Sequence, residues 1–299
     1  MAAVSDRVLI VGIDSFTGKH LSSHLENEGY DVYGTALNDE GGKTLVWNIL
    51  ESERFPEILK AVAPHYVIHL AGISFVTHGN AEDFYRVNTL ATERMLQALA
   101  RYHGNLHKII LASSAAVYGN QGVEVLEESL CPAPTNHYGA SKLAIEHLAS
   151  TYRERLPLLL VRPFNYTGPG QSTTFLIPKI VDHFRRAAPT ISLGNIDVIR
   201  EFNDVRYVAE IYARLLRSDA RGIPVNLCSG RGVSIREILD IMQRISGREI
   251  EVEIDPDLIR KNEIKRLVGS TERLGRIIDL PAPIPLEETL RSFYEASER

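Results

Sequence analysis

Tyr138 and Lys142 are the two residues whose types and spacing most directly suggest chemistry in this chain. They stand four positions apart, so on a helix their side chains lie on one face, about one turn from each other. An unperturbed phenol has a pKa near ~10, and a neighbouring ammonium stabilises the phenolate and brings that pKa toward neutral pH. The pair therefore predicts a tyrosine that can donate and accept protons. Taken alone, the same spacing also occurs on ordinary solvated helix faces.

A glycine-containing turn near the start of the chain predicts a dinucleotide site. The apolar run 7–11 leads into Gly12, and the spacing Gly-x-x-Ser-x-x-Gly continues through Ser15 to Gly18 at a predicted helix start. Such a helix start offers unpaired N–H groups and a positive dipole end to a pyrophosphate. Ser15 replaces the middle glycine that this motif usually has, and an ordinary tight turn is the alternative. The expected cofactor contacts in the turn are Gly12, Ser15, Phe16, Thr17 and Gly18.

The composition fits a soluble enzyme of ordinary size. The chain has 299 residues, of which 44% are hydrophobic and 24% charged, enough for one large domain or two unequal lobes. A net charge of −5 without a basic run argues against a nucleic-acid partner. Cys131 and Cys228 form no metal-binding pattern, so we expect neither a metal nor a disulfide framework. With no signal-peptide core and no apolar stretch of about 20 residues, we expect a cytoplasmic protein that does not cross a membrane.

Strand and helix patterns alternate along the first half of the chain. After the first strand, strands are expected at 31–35, 44–46, 66–70, 108–112 and 158–161, and helices at 51–62, 81–102 and from Tyr138 to about 155. This alternation predicts an α/β fold with a Rossmann-like, doubly wound parallel sheet. Beyond Arg162 the elements shorten, and we expect a smaller mixed α/β lobe. The predicted division assigns 1–162, with 204–228 returning, to the dinucleotide-binding domain, and 163–203 with 229–299 to a nucleotide-sugar-binding lobe.

Six motifs together resemble the extended short-chain dehydrogenase/reductase family over nearly the whole chain. They are the glycine turn, 69–72, Asn88, 113–119, the Tyr138–Lys142 pair and 162–165. The resemblance implies that Ser114 hydrogen-bonds the reacting oxygen, that Tyr138 is the general acid/base, and that Lys142 lowers the pKa of Tyr138 and holds the nicotinamide ribose. A hydroxyl and a tuned phenol suit hydride transfer, because ketone reduction builds negative charge on oxygen. Alternatively, Ser114 could cap a turn, and Asn88 could brace the sheet.

The resemblance also implies an NAD(P) cofactor. The remaining expected contacts are Asn48, Ile49, Leu70, Ala71, Gly72 and Pro163, besides Tyr138 and Lys142. Ala36 stands where NAD-specific relatives have an acid for the ribose hydroxyls. Lys43 and Asp39 follow in the next loop, the first a possible phosphate partner and the second a possible acid. We therefore expect NADPH to be accepted and weakly favoured, and NADH to be accepted as well.

Two segments of the second lobe, 193–202 and 260–270, resemble GDP-mannose 4,6-dehydratases and GDP-4-keto-6-deoxymannose reductases of that family. In this resemblance Arg200 and Arg260 clamp the substrate diphosphate, for which a guanidinium fork is suited, and Glu263 accepts from ribose hydroxyls. Glu201 departs from the usual aspartate. The expected substrate contacts are Ser74, Asn165, Leu193, Gly194, Asn195, Arg200, Arg260 and Glu263.

Ala115 and Ala116 favour a reductase over a dehydratase, since dehydratases have a proton-abstracting glutamate near this position. The expected reaction is the NAD(P)H-dependent reduction of GDP-4-keto-6-deoxy-D-mannose to GDP-D-rhamnose. Three alternatives remain: a nucleotide-sugar 4-epimerase, a reductase forming another sugar of talose or heptose type, and a silent dinucleotide-binding regulator. The residues do not indicate which face of C4 receives the hydride.

Broad apolar faces on two helices predict a homodimer. One face has Leu90, Met95, Leu96 and Leu99, and the other has Leu143, Ile145, Leu148 and Tyr152. A helix covering a sheet needs only one apolar stripe, although a wide core face would show the same pattern. The resembled family commonly pairs these helices across a two-fold axis.

Overall fold

A parallel sheet forms the centre of the molecule. The computed structural model describes residues 5–39, 41–74, 79–259 and 263–296. The strands in chain order are β1 Arg7–Val11, β2 Asp31–Ala36, β3 Thr44–Val46, β4 Tyr66–His69, β5 Lys108–Ala112, β6 Leu158–Pro163, β7 Tyr166–Thr167, β8 Thr190–Leu193, β9 Ile199–Glu201, β10 Asn203–Asp204, β11 Pro224–Leu227, β12 Gly232–Ser234, β13 Glu251–Ile254 and β14 Arg266–Leu267. Seven of them pair in the order β11-β6-β5-β4-β1-β2-β3, and every pairing in this sheet is parallel.

Helices cover both faces of the sheet. They are α1 Phe16–Asn27, α2 Phe55–Val62, α3 Ala81–Asp83, α4 Thr92–Ala100, α5 His137–Ser150, α6 Leu176–Arg185, α7 Val205–Arg217, α8 Ile235–Ser246, α9 Glu272–Ile277 and α10 Leu286–Glu295. Alternate residues of β1 point to opposite faces, with Val8 and Ile10 packing against α1 and α7, and Leu9 and Val11 against α2, α4 and α5. The predicted Rossmann-like doubly wound α/β fold is confirmed.

The expected helix over 81–102 contains an irregular stretch. Between α3 and α4, residues Phe84–Ala91 form a π-helical segment, and α4 ends at Ala100. A π turn widens the backbone hydrogen-bond ring by one residue and rotates the side chains that follow. Within this segment Asn88 is buried beside α5. That helix ends at Ser150, five residues before the predicted end, and a turn follows.

Small sheets and the last helices build the remainder of the chain. β13 pairs parallel with β8, β9 lies between β12 and β14, and β7 pairs with β10. The helices α6, α8 and α10 pack together over an apolar cluster separate from the clusters that flank the large sheet. The predicted lobe boundaries remain a prediction.

The order of the large sheet reverses between β1 and β4, which pair side by side. In open parallel sheets such a reversal opens a crevice at the carboxyl ends of the strands. Gly12, Ala71, Ser114 and Pro163 all lie at or just beyond these ends, so the topology brings their segments to one edge.

Candidate active site

The turn after β1 requires glycine at two positions. Gly12 has φ +88°, and a Cβ there would lie 2.8 Å from the backbone nitrogen of Ala71. A Cβ at Gly18 would collide with the carbonyl oxygen of Gly12. The loop after β1 therefore packs backbone against backbone with the start of α1 and with the end of β4. Because neither glycine has a side chain, a phosphate can approach the backbone of this loop.

Ser15 caps α1. Its Oγ accepts a hydrogen bond from Gly18 N at 3.0 Å and donates to Gly12 O at 2.7 Å. The serine that departs from the glycine motif therefore closes the turn on itself. The other first-turn amides of α1 have no acceptor within the helix, so the helix start suits the pyrophosphate of a dinucleotide. The loop with Gly12 and Gly18, which we call the glycine cradle, and the capped start of α1 thus fit the cofactor expected from the sequence.

Thr17 and Phe16 join this helix start to the segment after β6. Thr17 Oγ1 lies 2.6 Å from the hydroxyl of Tyr166, and the rings of Phe16 and Tyr166 are nearly parallel with centroids 6.1 Å apart. His20 Nε2 lies 3.0 Å from the carbonyl oxygen of Pro169. Sequence reasoning could not predict these contacts, because the hydrogen-bonded partners are 149 residues apart in the chain.

The ends of β3 and β4 lie on either side of β1 and β2. The amides of Leu70 and Ala71 both donate to Val11 O at 2.9 Å, and the site of a Cβ on Gly72 lies 3.5 Å from Lys142 Nζ. Beyond β3, Asn48 is half-buried with its Oδ1 accepting from Leu50 N at 3.0 Å. These positions are compatible with cofactor contacts, which remain a prediction.

Lys43 does not lie where a ribose phosphate would bind. Its ammonium forms an ion pair with Asp31, and the nitrogen stands 5.2 Å from the centre of the Tyr33 ring. Asp31 begins β2 whereas Ala36 ends it, and at ~3.3 Å per residue the two ends are roughly 16 Å apart. Lys43 is therefore paired away from the end of β2, and a role toward a 2′-phosphate finds no support in this arrangement. Asp39 accepts from the amide of Gly41 at 2.8 Å.

Ser114 is the second residue after the end of β5, and Ser113 lies between them. Its backbone is extended, and its Oγ accepts from Ala116 N at 3.1 Å, capping a short 3₁₀ turn over Ala115–Val117. Ser114 is also close enough to Tyr138 to act on the pKa of its phenol, which it lowers. The turn cap and the contact with Tyr138 are therefore both present.

Tyr138 is the second residue of α5, which Asn136 caps by accepting from Gly139 N at 2.8 Å. Burial of its hydroxyl raises the pKa of Tyr138 to about 12, and the hydrogen bond from Ser114 opposes that rise. Phe84 borders the ring, with centroids 6.1 Å apart. The expected lowering of this pKa by Lys142 is therefore wrong for this structure, because the effect of burial is larger.

Lys142 is buried one turn further along α5. Its Nζ donates to the carbonyl oxygen of Ala112 at 2.9 Å, so one of three donors is held by the end of β5. Burial lowers the pKa of Lys142 to about 8, while the charge of Glu146 acts in the opposite direction. The lysine is thus a cation near neutral pH with donors left for a ribose.

The predicted substrate residues of the second lobe lie along β8 and β9. Leu193 is buried at the end of β8, and a Cβ on Gly194 would lie 2.8 Å from Leu258 O. Asn195 is exposed and its Oδ1 accepts from Asp197 N at 3.0 Å. Leu193 and Gly194 therefore have structural contacts of their own, and their role toward substrate remains a prediction.

Arg200 is half-buried in β9, where its guanidinium donates to the carbonyl oxygens of Ile199, at 2.8 Å, and Ile264. Glu263 is half-buried immediately before Ile264, so these two predicted substrate residues lie close together along the chain fold. Arg260 falls outside the described residues, and the predicted arginine clamp is untested there.

The other predicted substrate residues, Ser74 and Asn165, lie beyond the carboxyl ends of β4 and β6 of the large sheet. Ser74 is exposed, five residues after the end of β4. Asn165 is exposed two residues after Pro163, and its backbone carbonyl accepts from Asn203 N at 2.9 Å. Pro163 ends β6 opposite Leu227 of β11.

Glu201 has a structural role that the sequence did not reveal. It is fully buried, and its carboxylate accepts from Gly269 N at 2.7 Å and from Ser229 N at 2.7 Å. Asn203 Nδ2 donates to it at 3.0 Å. Burial raises the pKa of Glu201, and these hydrogen bonds oppose the rise. The carboxylate joins β9 to two loops beside the site.

A second cluster of ionisable residues lies on the outer face of α1 and α7. His24, Glu28 and Glu210 place ligand-type atoms within 4.8 Å of one another. However, Arg217 pairs with Glu28 at 2.6 Å and Arg214 with Glu210 at 2.5 Å. The arginines already neutralise both carboxylates, so the cluster is an ion-pair network rather than a cation site.

The sequence model of the NAD dependent epimerase/dehydratase family matches residues 8–228, more than half of the chain. The chain belongs to this family. Its match spans the glycine turn, Ser114, Tyr138 and Lys142.

Curated relatives of similar length narrow the comparison. The chain is 32% identical to GDP-6-deoxy-D-talose 4-dehydrogenase of Aggregatibacter actinomycetemcomitans, over 91% of each sequence. It is also 32% identical to GDP-6-deoxy-D-mannose reductase of Pseudomonas aeruginosa, over 97% of this chain and 96% of the relative. A structure of RMD from Pseudomonas aeruginosa complexed with NADPH is 30% identical and superposes with a TM-score of 0.86, covering 97% of this chain and 98% of that one.

As a member of the epimerase/dehydratase family, the protein is an NAD(P)-dependent enzyme related to nucleotide-sugar reductases and dehydrogenases. The glycine cradle fits this cofactor requirement. No helix within the described parts of the chain is long and apolar enough to span a membrane.

The helix faces that suggested a dimer are mostly internal. Met95, Leu96, Leu99, Ile145 and Tyr152 are buried in the core between the sheet and its helices. The broad apolar pattern therefore reflects a wide core face, which was the alternative interpretation. By contrast, 51% of Leu90 is exposed, and Leu143 and Leu148 are half-buried. These three residues are what remains of the predicted surface, and the dimer stays a prediction.

Proposed function

We propose that this enzyme reduces the C4 ketone of a GDP-linked 4-keto-6-deoxy sugar with NAD(P)H, forming GDP-D-rhamnose from GDP-4-keto-6-deoxy-D-mannose. The observation that carries the proposal is the placement of Ser114 beside Tyr138, where it acts to lower the pKa of the phenol, with alanines rather than an acid following at 115 and 116. Hydride transfer to a ketone needs a proton donor and a hydrogen-bond donor at one oxygen, and no base at the neighbouring carbon.

The residues have distinct tasks in this reaction. Tyr138 gives its Oη proton to the C4 oxygen as the carbonyl becomes an alcohol, and the hydroxyl of Ser114 donates a hydrogen bond to that oxygen. Lys142, anchored on Ala112 O at 2.9 Å, places positive charge beside the phenolate that Tyr138 becomes. When bound, the nicotinamide supplies the hydride that C4 receives.

The raised pKa of Tyr138 suits a proton donor. At about 12 the phenol is fully protonated at neutral pH, so it is ready to donate. The phenolate left behind is stabilised only if positive charge stands nearby, and Lys142 is the buried cation on the same helix face. The pair therefore works as a unit, with proton release by Tyr138 dependent on Lys142.

The names of the two relatives support both the nucleotide and the position of the ketone. Each is named for a GDP-6-deoxyhexose, and one is named a 4-dehydrogenase. Arg200 and Glu263, which lie close along the fold, would contact the diphosphate and the nucleoside ribose.

A second product is favoured by one specific observation. The relatives are equally similar, and 6-deoxytalose differs from 6-deoxymannose in its configuration at C4. Both alcohols arise from one 4-keto sugar when hydride reaches opposite faces of C4. GDP-6-deoxy-D-talose is therefore the second candidate product.

The deciding experiment combines turnover with product analysis. The purified protein is incubated with GDP-4-keto-6-deoxymannose and either NADPH or NADH, and loss of reduced-nicotinamide absorbance is followed. We expect stoichiometric oxidation of the coenzyme and an equatorial C4 hydroxyl by NMR; an axial hydroxyl identifies the talose product. Ser114→Ala in the same assay tests the hydrogen bond to the reacting oxygen, with an expected loss of about 100-fold in kcat.

The epimerase alternative predicts a different result. An epimerase retains its oxidised cofactor and interconverts two 4-hydroxy sugars with no net use of coenzyme. Tightly bound NAD in the purified protein, together with interconversion of GDP-sugars without coenzyme consumption, would overturn the reductase assignment.

A further inference from the structure

A buried ion pair lies beneath the catalytic residues. Glu146 follows Lys142 by one turn of α5, and its carboxylate accepts from Arg162 Nε at 3.0 Å and from Arg162 Nη2 at 2.7 Å. Only 6% and 5% of the two side chains are exposed. Desolvating two charges costs about as much as their attraction returns, so such a pair is weak evidence of a role in stability alone. A helix packed on a sheet could have been apolar here.

The carboxylate also binds the strand end that leads to the catalytic serine. Ser113 Oγ donates to Glu146 Oε1 at 2.5 Å, and Ser113 immediately precedes Ser114. Arg162 comes from the end of the adjacent strand β6, and its guanidinium carbon lies 4.8 Å from the centre of the Tyr118 ring. One carboxylate therefore connects β5, β6 and α5, which include or adjoin all three catalytic residues.

The charges around Lys142 come from several elements. On β4, His69 is fully buried and its pKa is lowered to about 3, by burial first and then by the charge of Lys142, so it is neutral. On β6, the charge of Arg162 is matched by its fork with Glu146. Glu146 acts on Lys142 as a negative charge and opposes the effect of burial on its pKa.

We infer that Glu146, held by Arg162 and Ser113, is a positioning residue for the reaction: it fixes the strand end bearing Ser114 against the helix that carries Tyr138 and Lys142, and it places a carboxylate one turn beyond Lys142. The inference rests on the proposed function for its kinetic readout only. Its titration readout concerns the protein without cofactor or substrate.

Glu146→Gln separates the charge from the shape of the side chain. In protein labelled with ¹³C-lysine, the Cε resonance of Lys142 is followed against pH and assigned with Lys142→Arg. The wild-type midpoint should lie near pH 8. Loss of the neighbouring negative charge destabilises the ammonium, so the midpoint should move to lower pH by about one unit in Glu146→Gln.

Glu128→Gln is the matched control. Only 4% of the Glu128 side chain is exposed; it lies 3.7 Å from Arg273 Nε and accepts from Asn226 N at 2.8 Å. This variant also removes a buried, arginine-paired carboxylate, but not one that acts on Lys142. It should leave the Lys142 midpoint and the pH profile of kcat unchanged, whatever its effect on thermal stability.

Kinetics distinguish the two tasks of Glu146. With wild-type turnover established, Glu146→Gln should lower kcat at least about tenfold with little change in KM, and its alkaline decline should begin at lower pH. Ser113→Ala keeps the charge but releases the strand end, so kcat should fall with the pH profile unchanged. Glu146→Asp keeps the charge on a shorter side chain and should behave as Ser113→Ala does.

An unchanged Lys142 midpoint in Glu146→Gln, with kcat within about twofold of wild type, would show a purely structural pair. If Glu146→Gln does not fold, Ser113→Ala and Glu146→Asp decide: wild-type kcat in both overturns the inference, and reduced kcat in both supports it. If wild type fails to reduce any 4-keto sugar, the proposed function fails while the titration of Lys142 still tests the charge.

Discussion

Asn88 and Ser141 are joined by a hydrogen bond of 3.2 Å from Nδ2 to Oγ, which holds the π-helical segment against α5. The same amide side chain donates to Ile73 O at 3.0 Å and accepts from Ile73 N at 2.8 Å. Its three bonds hold the chain after β4 against the turn of α5 that carries Lys142. Asn88 therefore braces the site, as the alternative interpretation of this residue expected, and its hydrogen bonds show why a buried asparagine is needed there.

Tyr138→Phe should abolish reduction while leaving cofactor binding nearly intact. The ring and its contact with Phe84 remain, and only the proton donor is lost. General acid help is worth at least about 100-fold, so the rate should fall well below a tenth of wild type. Steady-state rates and a fluorescence titration with NADPH measure the two effects. Retention of more than a tenth of the rate would contradict the acid role.

Gly12→Ala should remove cofactor binding. The added Cβ would lie 2.8 Å from Ala71 N in a backbone with φ +88°. Gly29→Ala is a matched control, since Gly29 has the same φ but nothing within 4 Å of the Cβ site. The control should lose about 1–2 kcal/mol of unfolding free energy, the cost of a left-handed alanine, and bind NADPH normally. Equal NADPH affinity in both variants would refute the cradle.

Cofactor choice should not depend on Lys43. Because its ammonium pairs with Asp31 at the far end of β2, Lys43→Ala should change KM for NADPH by no more than about twofold. Ala36→Asp should instead favour NADH at least about tenfold, because a carboxylate there binds ribose hydroxyls and repels a 2′-phosphate. The measurement is kcat/KM with both coenzymes. A wild-type preference for NADH above about a hundredfold would reveal an acid that we have not identified.

Acid should destabilise the fold through His69. This imidazole is buried against Thr92, with Nε2 2.8 Å from Oγ1, and its pKa is lowered to about 3. An unfolded histidine titrates near ~6.5, so the unfolded state binds more protons below that pH, and stability falls by up to about 1.4 kcal/mol per pH unit. Urea unfolding of His69→Gln between pH 6.5 and 4 should show a shallower slope. The exposed His103→Gln is the control, and an identical slope in His69→Gln would exclude this cause.

Self-association is predicted to depend on Leu90, a large apolar side chain left exposed beside the catalytic helix. Sedimentation at micromolar concentration should give a dimer for the native chain and a monomer for Leu90→Glu, because a buried unpaired carboxylate opposes association. A monomer near 33.4 kDa with full activity would end the dimer proposal.

The fold was predictable from the sequence because its signals are local and repetitive, and the candidate site depends on local motifs in the same way. Apolar runs of strand length, alternating with helical patterns, specify a parallel sheet. Motif spacing predicts a catalytic role for Ser114, Tyr138 and Lys142, and that role stays a prediction. The π-helical segment was not predictable, since one extra residue per turn leaves the apolar periodicity nearly intact. The partners of the Lys43 ammonium and of the Glu201 carboxylate could not be predicted either, because tertiary packing rather than the neighbouring sequence determines them.

The contact between Thr17 and Tyr166 connects the predicted cofactor site to the predicted sugar site. A dinucleotide bound at the start of α1 would therefore also order the segment that leads from β6 through Asn165 to the second lobe. Whatever affinity this adds for the sugar, the sugar must return to the coenzyme, since binding coupling is reciprocal. We therefore expect each ligand to lower the Kd of the other by the same factor, and that factor should fall toward one when Tyr166→Phe and Thr17→Val are combined.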